Sequence, residues 1–239
     1  MNKSSSSLKS LAKGQLLGHY SKLITAFIII EFITIGILSV AFFTINQSTI
    51  FGMVIYYTFI FLLQLLTGVF LSGQARLYLN FCSKRNYSIS DIFYGFKLHS
   101  DKAIMIELTM ILTTAVCLFP FVVTLFLYNF TDELILIPIM TLLLLAGIVI
   151  CCYRLLGLSQ CFFIMQDFPD YSTKQIVSMS NKVMKGYKGY FFYVLVSFIP
   201  LYLLCLLTFG LGFLWIIPYT NAIKVNFYMD LMNCHSQKI

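Results

Sequence analysis

"LTFGLGFLWIIPY" (residues 207–219) sets two glycines, a tryptophan and a proline inside an apolar run. It is either a glycine loop built to hold a ligand or a bend between two apolar helices. The choice decides how many times the chain crosses a membrane. A ligand loop of the G-x-G-x-x-G type needs a strand before it and a solvent-facing helix N-terminus after it. Here apolar segments flank it on both sides, at about 190–208 and 212–230. Gly210 and Gly212 therefore read as permitting a tight reversal, Trp215 as an anchor near the outer membrane interface, and Pro218 as a kink in the segment that follows. The stretch is expected to be the outer tip of a hairpin.

Composition supports a lipid setting. The 239 residues are 59% hydrophobic and 10% charged, with a mean hydropathy of +0.88. Soluble domains carry about a quarter charged residues, so this chain is too poor in charge to cover a water-facing surface. Helices or closed barrels are the structures that satisfy backbone groups in lipid, and long non-alternating apolar runs are helices. Segments 23–43, 53–78, 103–128, 134–154 and 190–208 each approach the roughly 20 residues that a crossing needs. A sixth, 212–230, is interrupted by Pro218, Asn221, Lys224 and Asn226. Lysines ahead of an apolar run are also how a secretory signal begins, but 23–43 is long for a signal core and no small-x-small cleavage site follows. It is read as a retained span.

Charge then sets the topology. Lys3, Lys9, Lys13 and Lys22 precede the first span, and the stretch 76–102, from the end of span two to span three, holds Arg76, Lys84, Arg85, Lys97 and Lys102. The stretch 154–189, from the end of span four to span five, holds Arg154, Lys174, Lys182, Lys185 and Lys188, and Lys224 and Lys238 follow the last bend. The intervening loops 44–52 and 209–211 hold no Lys or Arg, and 129–133 holds only Asp132 and Glu133. With six spans all 16 basic residues fall on one side, which the positive-inside rule makes cytoplasmic. The expected fold is all-α: one integral-membrane domain over 1–239, with three hairpins (about 23–78, 103–154 and 190–230). Segments 1–22, 79–102, 155–189 and 231–239 and both termini are then cytoplasmic.

The net charge of +7 does not point to nucleic acid, because readers of nucleic acid gather Lys and Arg on one face of a soluble fold. Here the charge lies in short segments between spans, where anionic lipid explains it. At 100° per residue, Ile176, Met179, Val183, Met184 and Tyr187 share one arc of 174–188, with Lys174, Lys182, Lys185 and Lys188 opposite. A basic amphipathic helix on the inner membrane surface fits this pattern, and so does a helix capping the ends of the spans. "SLKSLAKGQLLGHYSKL" (7–23) and "DIFYGFKLHSDK" (91–102) are weaker versions. "YSISDIF" (87–93) and "YSTKQIV" (171–177) share Tyr-Ser and a later Ile, 84 residues apart, and the even spans end in similar polar patterns, which suggests a threefold repeat.

"MKGYKGYFF" (184–192), "LTFGLGFLWIIPY" and "NFYMDL" (226–231) resemble the C-terminal half of an integral-membrane family of mostly Gram-positive bacteria, domain of unknown function nine-seven-five. The family's Lys-Gly pair before the first span is matched by Lys13-Gly14. The resemblance implies a bacterial cytoplasmic membrane and a six-span topology. It brings no activity, cofactor or catalytic residue.

Chemistry at depth is sparse. His19, His99 and His235 have no second ligand at metal spacing, and the seven cysteines form no C-x-x-C and mostly sit inside apolar runs, where thiols act as small apolar filler. No metal, cofactor or catalytic group is expected. Glu31 stands out, nine residues past Lys22 and about 13 Å into the first span at 1.5 Å per residue. An ionisable group at that depth is costly. Its candidate partners are Arg76, Arg154 and Lys224, each on an even span towards the basic side, while Glu107 lies five residues past Lys102 and reads as interfacial. Two functions remain open: a non-enzymatic scaffold or accessory subunit, working with the bilayer, anionic lipid and a membrane-protein partner or second copy, or a small transporter or channel with Glu31 in its pathway.

Overall fold

The computed structural model describes residues 3–131 and 133–236, so Asp132 and Lys238 lie outside the described residues. Among the described residues there is no strand. The helices are α1 (Ser5–Leu16), α2 (Tyr20–Thr44), α3 (Ile50–Cys82), α4 (Tyr94–Lys97), α5 (Ser100–Thr131), α6 (Leu136–Leu158), α7 (Cys161–Asp167), α8 (Thr173–Val183), α9 (Lys188–Val196), α10 (Ile199–Leu207) and α11 (Phe213–Ser236), with a 3-10 turn at Ile89–Phe93. Five stretches are long and apolar enough to cross a membrane: Tyr20–Thr44, Ile50–Cys82, Ser100–Thr131, Leu136–Asp167 and Lys188–Leu207. Each overlaps one of the apolar runs read from the sequence, with ends one to four residues apart, except that the fourth runs on through α7 to Asp167. The last helix, α11, is 24 residues long but is not among the five. Asn221, Lys224, Asn226 and Asp230 lower its hydropathy.

The core sits at one end of the bundle. On α3 nearly all the buried residues lie from Gly68 to Cys82, whereas Ile50, Phe51, Val54, Tyr57 and Leu62 nearer its start are exposed. On α5, Ala103, Ile106 and Glu107 are buried, and beyond them only Thr124 is. In α11, Ala222, Ile223, Val225, Phe227, Tyr228 and Leu231 are all but inaccessible. α1 lays Leu8, Ala12 and Leu16 against α11. Asn226 donates to Gln15 Oε1 at 2.7 Å, and the Tyr219 and Tyr190 hydroxyls donate to the Lys9 and Lys3 carbonyls, each at 3.2 Å. Tyr228 donates to Asp167 Oδ2 at 2.7 Å, and Gln166 to Ser72 Oγ at 2.9 Å, tying α7 to α11 and α3.

The segments between hairpins dock by capped turns. Ser88 N–H donates to the Asp91 carboxylate at 3.1 Å, and Ser172 N–H to Gln175 Oε1 at 2.8 Å, the reciprocal pattern of a capping box. Ile92 and Ile176, each four residues past its capping serine, are fully buried. Gly73 receives the first of these turns, since a Cβ there would collide with the Ile92 carbonyl.

Two helical expectations are corrected. The basic helix drawn over 174–188 ends at Val183, because the chain turns through Met184–Tyr187, with Gly186 at φ 85°, and Lys188 begins α9. Met184 is buried, and this anchors the turn. The fifth apolar stretch is broken at Ser197 and Phe198, just ahead of Pro200, whose missing N–H and ring suit the first turn of a new helix. Pro120, Pro138 and Pro218 lie inside α5, α6 and α11 without a break in helix.

Candidate functional site

The opening stretch is a reversal joining α10 to α11. Phe209 and Gly210 take positive φ, 51° and 87°, the left-handed region where glycine carries no steric cost. Gly212 is needed for space, since a Cβ there would lie 2.7 Å from Cys205 Sγ. Gly210 N donates to the Cys205 carbonyl at 2.9 Å, Leu211 N to the Thr208 carbonyl and Gly212 N to Thr208 Oγ1, both at 3.1 Å, and Phe213 N to the Gly210 carbonyl at 3.1 Å. Trp215 is half exposed, Pro218 is buried, and Phe209 at the tip is fully exposed.

Two adjoining cavities gather the polar side chains of the spans. The first, about 270 Å³, opens between α2, α3 and α11, where Glu31 and Thr34 face Thr67, Gln74 and Asn221. Glu31 is exposed there and makes no hydrogen bond or ion pair with the described residues. The expected pairing with Arg76, Arg154 or Lys224 is therefore not formed. The second cavity, about 120 Å³, lies between α3, the α6–α7 junction and α11, and Tyr78, Ser159 and Lys224 line it. Leu71, Gln74 and Asn221 line both, so Glu31 and Lys224 stand on opposite sides of a shared polar wall.

Each basic candidate has its own place. Arg76 stacks its guanidinium 3.4 Å from the Tyr94 ring centroid, a cation–π contact, and its buried Nε has no hydrogen-bond partner. Arg154 is exposed at the end of α6. Lys224 Nζ donates to Asn221 Oδ1 at 3.4 Å. Lys174, Lys182 and Lys185 lie at the surface, while Lys188 donates to the Tyr153 carbonyl at 3.2 Å and sits 3.8 Å from the centroid of the Tyr153 ring. The face of α8 away from its lysines is occupied: Ile176, Ser180 and Val183 are buried, and Ser180 Oγ donates to the Gly157 carbonyl at 2.6 Å.

The acid that sequence reasoning passed over is Glu107. Proximity to Lys102 suggested an interfacial residue, yet Glu107 is only 6% exposed. Its Oε1 accepts from Gln64 Nε2 at 3.1 Å, and its Oε2 has no partner. Gly68 makes this possible by letting α3 approach α5 closely, a signal the sequence carries only as one glycine in an apolar run. Outside the spans, the Tyr87 hydroxyl meets His19 Nδ1 at 2.9 Å, and burial pushes this phenol up from its ordinary pKa.

Among the described residues no group of three or more His, Cys, Asp or Glu could hold a metal ion. No curated protein and no solved structure matches the chain. The family described as Protein of unknown function (DUF975) matches residues 1–235. With that span matched, the chain belongs to the DUF975 family.

Proposed function

We propose that the protein is a non-enzymatic scaffold or accessory subunit of the cytoplasmic membrane, inserted as three helical hairpins with both termini inside. One observation carries this reading: the buried core and the polar contacts are gathered at the basic end, while the other halves of the hairpins are apolar and exposed. The candidate spans are only 6–22% buried within the chain. No charged residue occurs in 32–49, 50–75, 108–131, 134–153 or 189–223, and so no line of charge continues outward from Glu31. Spans of this kind anchor, and the basic end presents Lys174, Lys182 and Lys185 to anionic headgroups, each contributing about 1 kcal/mol at low salt.

Affinity purification from native membranes in mild detergent, with quantitative mass spectrometry, tests the reading. A stoichiometric membrane-protein partner or a second copy is expected, lost when Lys174, Lys182 and Lys185 are changed to Glu and kept in Glu31→Gln. Association and membrane retention that both survive the lysine reversal would overturn this version.

The Glu31 groove favours a second reading, a small transporter. Under it, proteoliposomes conduct a proton-coupled or solute flux that Glu31→Gln removes. Flux indifferent to that change would take Glu31 out of the pathway.

A further inference from the structure

We infer that the cavity between α3, the α6–α7 junction and α11 is a binding site for a phosphate-type anion, with Lys224 and Tyr78 as its donors. The observations behind this do not depend on the scaffold reading. Lys224 brings an ammonium to the cavity wall, and no carboxylate among the described residues pairs with it; its hydrogen bond goes to the neutral Asn221 amide. Lys224 is half-buried, and a charge drawn out of water with no partner of opposite sign is left at a desolvation cost.

Tyr78 points the same way. It is 2% exposed, and with the Asn221 amide nearby its hydroxyl still lacks a well-formed hydrogen bond. Buried hydroxyls nearly always find a partner, so this one is a donor awaiting an acceptor. Gln74 adds an amide on the same wall, while Ser159 lines it with its O–H already donated to the Leu156 carbonyl at 2.8 Å. A cation, a free hydroxyl and an amide around about 120 Å³ suit a compact anion with several acceptor oxygens. The remaining wall is apolar, Leu71, Phe162, Phe163 and Val225, and matches the acyl-proximal part of a phospholipid headgroup as well as a free phosphate. The shared chemistry is the phosphate oxygens.

The experiment uses the full chain, delipidated in detergent, with thermal unfolding and native mass spectrometry as readouts. Three probes are added: inorganic phosphate, short-chain phosphatidylglycerol, and diacylglycerol of the same chain length. Both phosphate-bearing probes, or the lipid alone, are expected to bind and raise the unfolding temperature, and diacylglycerol is not. Binding of inorganic phosphate assigns a solute, and binding of the lipid alone assigns a headgroup. Lys224→Gln and Tyr78→Phe should each weaken apparent affinity by about tenfold or more, the cost of a lost hydrogen bond to a charged group. Tyr78→Phe removes a single oxygen, so it decides the matter alone if Lys224→Gln misfolds. Diacylglycerol binding equal to that of the phospholipid, no binding of any phosphate probe, or unchanged affinity in Tyr78→Phe would each overturn the assignment.

Discussion

Glu107 and Gly68 show how one residue sets the cost of another. A carboxyl with one unpartnered oxygen inside a bundle is expensive to bury, and it survives here because α3 comes close enough for Gln64 to reach it. Gly68 permits that approach, since a Cβ would lie 2.6 Å from Glu107 Cβ. Gly68→Ala should destabilise by about 1–3 kcal/mol through overpacking, whereas Gly36→Ala, with open space around it, should gain about 0.5–1 kcal/mol through helix propensity. Thermal unfolding in detergent compares the two. Glu107→Ala should cost about 1–3 kcal/mol by stranding the Gln64 amide, while Glu107→Gln keeps a partner for it and stays near wild type. If Gln falls as far as Ala, the carboxylate itself is what the fold requires. None of this was legible beforehand. The chain displays Glu107 five residues from a lysine and Gly68 as one of 13 glycines, and the helix crossing that pairs them is a tertiary fact. The same holds for Tyr78, Ser159 and Lys224, brought together from segments far apart in sequence.

At the scale of elements the sequence was more informative. Long apolar runs predicted all five stretches long and apolar enough to cross a membrane, because lipid leaves the backbone few alternatives, but the sixth run, in α11, is not among them. Ends set by packing were less visible, as where buried Met184 closes α8 early. The Tyr-Ser likeness acquires a physical meaning. Ser4, Ser88 and Ser172 stand at N-caps spaced by 84 residues, and Leu8, Ile92 and Ile176, each four further on, are fully buried. Each hairpin is thus preceded by a capped turn that pins one apolar side chain into the common core. Leu8→Ala, Ile92→Ala and Ile176→Ala should therefore each cost about 2–5 kcal/mol, the range for deleting a buried aliphatic side chain. Ser172→Ala should cost about 1 kcal/mol and raise the rate of limited proteolysis within 168–187. A serine change that left proteolysis untouched would mean that packing alone holds α8.

For the molecule as a whole, the charge count leads to an accessibility experiment. In a cysteine-free background, Ser48→Cys should react with a membrane-impermeant maleimide from outside intact cells, and Lys84→Cys and Lys182→Cys only after the membrane is opened. Labelling of Lys182→Cys from outside would reverse the orientation or remove a span. Whole-chain arithmetic led to the six-segment reading and missed the unequal reach of the hairpins. Glu31 and Ile217 line one cavity, but α2 runs on for 13 residues beyond it and α11 for only four before its turn, about 20 Å against 6 Å at a helical rise of 1.5 Å. The α10–α11 tip therefore stops short of the α2–α3 tip. It does so with apolar Phe209 outermost and every backbone N–H from Thr208 to Ile216 already bonded within the turn and its helices, so those N–H groups need no partner from water or headgroups. The α2–α3 and α5–α6 tips carry the polar Asn46, Gln47, Ser48 and Glu133. Under the proposed six-span topology, a thinner or thicker bilayer would require those two hairpins to tilt, while the third could keep its depth. Bilayer thickness would then be converted into an angle between the helices.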